Sequence, residues 1–174
     1  MKLLVTAVDP EGRSVFERES QLAPVAASLA PDLINYPIIA TLDPSDLLGG
    51  AYAEAEDMPF FPPPGALRAF QLEIAAPNAS DGAAPTADQL DEAERLFPGL
   101  FAAMEADPPG MHRTDTVDFV VVLDGEVVLE LDDGQERTLR PYDVVIQRGA
   151  RHRWRNETNK PLRLSVVMLG IHRP

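Results

Sequence analysis

No cysteine occurs anywhere in the chain, so disulfides, zinc–thiolate sites and thiol nucleophiles are excluded outright. Basic residues are also scarce. Fifteen Lys and Arg against 28 Asp and Glu leave a net charge of −13, without the basic face that nucleic-acid binding requires. Long apolar runs are missing too. The opening stretch "MKLLVTAVDPEG" meets Asp9 and Glu11 almost at once, which is too short for a signal-peptide core, and no segment can span a bilayer as a helix. A cytoplasmic protein with neither nucleic-acid nor membrane partners is the expectation. There is no serine in an elbow-type turn and no glycine-rich phosphate loop, which removes two further classes of chemistry. At 174 residues the chain is long enough to bury one core without staples.

What is present divides into three zones. Residues 2–19 read as a β-hairpin arm, with a turn through Pro10, Glu11 and Gly12. Residues 20–110 are irregular and proline-rich, "FFPPPG" at 60–65 being either a lid or a packed loop. Within that zone "RAFQLEIAA" at 68–76 alternates Phe70, Leu72 and Ile74 against Gln71 and Glu73, as a half-buried strand does. "TADQLDEAERLF" at 86–97 predicts a helix capped by Thr86, with Leu90, Ala93, Leu96 and Phe97 as its apolar stripe. A second short helix is expected after Pro98.

From residue 111 the pattern is all β: 117–123, 126–132, 135–140, 143–147, 151–156 and 161–170. Asp124-Gly125 and Asp133-Gly134 both favour two-residue type I′ hairpin turns. Short strands so spaced, with no helix between them, make an antiparallel jelly roll. The expected organisation is an arm and loop region at 1–67 packed on a barrel at 68–174, with a helical insert at about 80–107.

Strand parity then sorts the side chains. His112, Thr114, Thr116, Asp118, Val120 and Val122 share one face. His152, Trp154 and Asn156 share another, opposite Arg151, Arg153 and Arg155. Three arginines cannot fill a small barrel, so the His152 face is the inner one and the arginines form a solvated or subunit-facing strip. Leu162, Leu164, Val166 and Met168 supply the apolar floor.

The stretches "GMHRTDTVDFVVVLDGEVVLEL" and "LRPYDVVIQRGARHRWRNETNKP" resemble the two motifs of the cupin superfamily over roughly 108–170. The resemblance implies a double-stranded β-helix, or jelly-roll, barrel carrying the N-terminal hairpin and the helical insert. It places His112 at the first metal-binding histidine, Thr114 at the second, Asp118 at the glutamate, and Gly125 at the motif's glycine. Gly149, His152 and Asn156 match the second motif. The retained set, His112, Asp118 and His152, implies a divalent ion (Fe, Mn, Ni or Zn) with open positions for substrate. Against it stand a threonine in place of an imidazole and a carboxylate one methylene short. The alternative is a metal-free pocket in which Asp118 bonds to Thr114 or orients His152 as a general base.

Trp154, Thr114, Phe70 and Met168 are candidate ligand contacts, and Arg148, beside Tyr142 near the presumed mouth, is a candidate for orienting a carboxylate or hydroxyl. His172 is read as a frayed-end residue. Three functions remain open. One is a metabolic enzyme (lyase, isomerase, cyclase or dioxygenase) acting on an organic acid, carbonyl or aromatic compound. The others are a non-catalytic small-ligand binder and a structural protein with a filled barrel. The cupin resemblance implies a homodimer, formed by strand exchange or sheet packing, and the N-terminal arm fits it.

Overall fold

The computed structural model describes residues 1–49, 58–77 and 84–173. Among the described residues ten strands form three antiparallel sheets. β1 (Lys2–Val8) and β2 (Ser14–Gln21) pair only with each other, as the expected hairpin. Its turn is closed by Asp9, whose carboxylate accepts from the Glu11 and Arg13 backbone N–H groups. At Gly12 φ is +79°, a conformation that glycine adopts without the steric penalty of a Cβ.

The irregular zone holds a strand that sequence pattern did not reveal. β3 (Leu33–Thr41) pairs with β4 (Leu67–Ile74), so the barrel sheet begins well before residue 68. Pro37 lies inside β3 and reads as a strand breaker. It is tolerated because β3 is an edge strand and its register slips between Pro37 and Ile39. At a bulged edge the missing N–H breaks no ladder that must continue. β4 runs as expected and turns Phe70 inward; the same parity buries Arg68. That guanidinium is held by the Met58 and Pro59 carbonyls at 3.0 and 3.1 Å and lies over the Phe60 ring.

α1 (Ala87–Leu96) starts at Thr86 with a full capping box. The Thr86 hydroxyl accepts from the Gln89 N–H, and the Gln89 side chain accepts from the Thr86 N–H. Ala93 and Phe97 are buried as expected, whereas Leu90 is exposed. A single 3₁₀ turn, Phe101–Ala103, stands where the second helix was expected. The first residues of the expected insert, 80–83, lie outside the described residues.

β5 (Thr116–Asp124), β6 (Val127–Glu130), β7 (Glu136–Leu139), β8 (Val144–Arg148), β9 (Arg153–Arg155) and β10 (Leu162–Gly170) reproduce the six expected runs. Five strands order as β3-β4-β10-β5-β8, and three face them as β7-β6-β9. The Asp133-Gly134 turn has the expected positive φ at both positions (57° and 67°) and joins the β6–β7 hairpin. Asp124-Gly125 does not close a hairpin. β5 pairs with β10 and β8, and the chain crosses at Gly125 into the other sheet. Gly125 sits there for want of space as well as for its φ of +75°: a Cβ would lie 2.8 Å from the Leu162 Cα.

The core between the sheets is Val120 and Val122 from β5, Val127 from β6, and the alternating Leu162, Leu164, Val166 and Met168 of β10. Each such fully buried side chain stabilises the fold by about 1.5–3 kcal/mol. The arginines of β9 take the outer face. Arg153 pairs with Glu130 at 2.7 Å, Arg155 with Glu130, Glu136 and Glu157, and Arg151 with Glu105 and Asp132.

Candidate active site

Between the two sheets lies a cavity of about 350 Å³, so the barrel is not filled by its own side chains. Of the residues singled out from sequence, His112, Asp118, His152, Trp154, Phe70 and Met168 all line it. Two lie elsewhere. Thr114 is buried but spends its hydroxyl on Thr116, 2.8 Å away. Arg148 ends the edge strand β8 in solvent, outside the lining. Tyr142 is exposed at its turn and His172 near the C-terminal end. Asn156 is a staple, its amide donating to the Ile74, Ala75 and Lys160 carbonyls.

The two histidines are placed as mirror images. His112 and His152 form an isolated backbone bridge, each N–H bonded to the other's carbonyl at 2.9 Å. Their rings lie 4.4 Å apart, centroid to centroid. Each Nδ1 meets the carbonyl two residues earlier, Gly110 at 3.0 Å and Ala150 at 2.9 Å. A carbonyl only accepts, so Nδ1 carries the proton in both rings and Nε2 keeps its lone pair. Burial holds His112 below the usual imidazole range against the opposing pull of the Gly110 carbonyl and Glu105. Burial, with His112 beside it, takes His152 down to about 4. Both rings are therefore neutral at pH 7.

Asp118 behaves in the opposite sense. Burial among apolar groups pushes its carboxyl up to about 6, against a hydrogen bond from Thr116 that favours the charged form. Its Oδ1 is buried and has no hydrogen-bond partner. The expected carboxylate-oriented imidazole is not formed, because His152 Nδ1 is already bonded to Ala150. His152 is therefore the weaker base of the two.

Among the described residues no three His, Asp or Glu side chains gather closely enough to hold a metal ion. The threonine at the second histidine's position is turned to its neighbour, and the shorter acid does not complete the set with the two imidazoles. The residues present do not fit a resident ion.

Sequence reasoning missed part of the apolar wall. Phe60 and Phe61, from the "FFPPPG" segment, line the cavity, as do Leu33 of β3 and Leu100, Phe101 and Met104 after α1. Phe61 faces His112 at 5.8 Å and Trp154 meets His152 edge-on at 5.9 Å. The pair of phenylalanines before a proline run was a usable signal. Leu33 and Met104 had none, since they reach the cavity only through the tertiary fold.

The Cupin domain family model matches residues 101–168. A Diaporthe leptostromiformis protein described as phomopsin biosynthesis cluster protein C′ is 53% identical, over 34% of this chain and 39% of its own length. A Neurospora crassa protein, cupin-domain-containing oxidoreductase srdB, is 47% identical over 35% and 32%. The matches thus span well under half the length of these curated relatives. Among solved structures, a Cupin 2 conserved barrel domain protein from Salinispora arenicola aligns at a TM-score of 0.44, with 16% identity, over 86% of this chain and 88% of its own. Residues 101–168, which carry the two motif segments and the histidine bridge they build, are thus the part of the chain that is similar to the Cupin domain family.

Proposed function

We propose that the chain is a small-molecule enzyme that moves a proton within an apolar substrate held in the barrel cavity, an isomerase of keto–enol type. One observation carries this reading: a buried carboxyl with an unpaired oxygen, its pKa brought near neutrality, on the wall of an otherwise apolar cavity beside two neutral imidazoles. A base works best when its pKa lies near the working pH. In the proposed step one Asp118 oxygen takes the proton from the carbon next to the substrate carbonyl. The carboxyl then returns a proton to the carbonyl oxygen, and the new enol hydroxyl donates to an imidazole Nε2. Atoms and charge balance without a further reactant. The names of the relatives, biosynthesis-cluster proteins and cupin-domain-containing oxidoreductases, support a role in small-molecule metabolism for this chain.

The test is exchange of the α-protons of phenylacetone in D₂O, followed by NMR, with binding read from Trp154 fluorescence. The wild type should exchange faster than buffer and Asp118→Asn about 100-fold more slowly than wild type, within the usual range for a general acid–base. Dialysis against a chelator should leave the rate unchanged. Binding without accelerated exchange would replace this reading with the non-catalytic binder, which the same apolar cavity also supports.

A further inference from the structure

We infer that the cavity selects ligands that present a hydrogen-bond donor, a phenol or enol hydroxyl on an apolar body, over the carboxylate or ether of the same size. The inference rests on the reading of the cavity as the ligand site. It comes from an account of which polar atoms the wall can offer. Each histidine has committed its Nδ1 proton to a backbone carbonyl, so each leaves a lone pair at Nε2 and no N–H there. Asp118 adds Oδ1, buried and unpaired. These three groups are acceptors. The other lining side chains are hydrocarbon or thioether, except for the indole of Trp154, the one side-chain N–H among the described lining residues besides the two committed Nδ1 protons.

Cations are kept elsewhere. Arg151, Arg153 and Arg155 are held by acids on the outer face, and no lysine or arginine is among the described lining residues. A ligand carboxylate would therefore meet lone pairs and a carboxylate with no counter-charge, against a wall that is otherwise apolar. The organic-acid substrates allowed by sequence alone are disfavoured. A hydroxyl reverses every one of these terms, because its proton satisfies an acceptor that would otherwise stay unpaired. A site built to bond a substrate hydroxyl rejects the analogue without it far more strongly than an apolar pocket rejects a missing methylene. The volume sets the size. A cavity of about 150 Å³ holds benzene, so 350 Å³ admits one ring with a short alkyl chain.

The experiment compares 4-propylphenol, 4-propylanisole and 4-propylbenzoate on the full chain at pH 8, by calorimetry and by fluorescence of Trp154, the sole tryptophan. The phenol should bind at least about tenfold more tightly than the anisole, and the benzoate should not bind measurably. In Asp118→Leu the preference for phenol over anisole should shrink severalfold. Equal binding of phenol and anisole, or tighter binding of the benzoate, overturns the donor inference and leaves the cavity standing as a ligand site. Failure of all three probes to bind overturns that reading and the inference with it. The wild-type comparison decides the matter even if Asp118→Leu does not fold.

Discussion

Gly170→Ala is expected to lower stability by about 3 kcal/mol or more, beyond the ordinary range for an added methyl group. Gly170 ends β10, where its N–H donates to the Ala66 carbonyl and its own carbonyl accepts from Gly65. A Cβ placed there would lie 2.0 Å from the Pro63 carbonyl oxygen and 2.5 Å from that of Pro62. Neither obstacle is the end of a flexible side chain. Both are backbone, in a segment stiffened by three consecutive prolines and tied further back by the Phe60 N–H to the Pro98 carbonyl. Relief must come from moving the segment as a unit, and Phe60 and Phe61 move with it. The expected result is a melting temperature lower by roughly 10 °C for a chain of this size, with weakened binding in the cavity. Gly12→Ala is the control: its φ of +79° is unfavourable for alanine, but nothing lies within 4 Å of the added carbon. A melting curve for Gly170→Ala matching that control would mean that the proline segment is not clamped as described.

Asp118→Asn should make the protein more stable at pH 8, by up to about 3 kcal/mol, with the gain vanishing by about pH 4. The unfolded aspartate titrates near 3.8 and the folded one near 6. Between those values the folded state holds a proton that the unfolded state has released. The ionised carboxylate therefore opposes folding at neutral pH, and the opposition is relieved as the pH falls through 6 towards 4. His152 has the reverse sign. Unfolded it titrates near 6.5 and folded near 4, so acid draws protons to the unfolded state first and stability is lost across nearly the same window. Each effect is worth about 3 kcal/mol, and in the wild type they largely offset one another, His112 adding a little to the loss. Asparagine resembles the neutral acid in shape and removes only one of the two. Urea unfolding from pH 4 to 8 should give a shallow profile for the wild type and a steep acid loss for the variant, the two meeting near pH 4. Parallel profiles would mean that Asp118 ionises as an ordinary solvated carboxylate does.

Much of the C-terminal half was legible because it obeys the period of two. Along 112–122 every second residue is buried, His112, Thr114, Thr116, Asp118, Val120 and Val122, as parity demands. The arginines of β9 fell on the outer face for the same reason. The N-terminal half was harder because its rules are broken locally and repaired by context. Pro37 hides β3, and only its edge position explains why the strand survives. Asp124-Gly125 has the composition of a hairpin turn, yet the close approach of Leu162 assigns it to a crossing between sheets. At the site, parity correctly brought the histidines and Asp118 to one cavity, but it carries no information about hydrogen-bond partners. That Ala150, and not Asp118, fixes the His152 ring depends on a carbonyl two residues away.

The origin of the cavity wall has an evolutionary consequence. His112, Asp118 and His152 fall inside the 101–168 segment that matches the family, whereas Leu33, Phe60, Phe61, Phe70, Leu72, Ile74 and Leu100 come from outside it. Part of the apolar wall is thus written outside the stretch that carries the three polar groups. Exchange of the earlier stretch between relatives would reshape the room while His112, Asp118 and His152 stay in place, so that one polar floor can serve many differently shaped rooms.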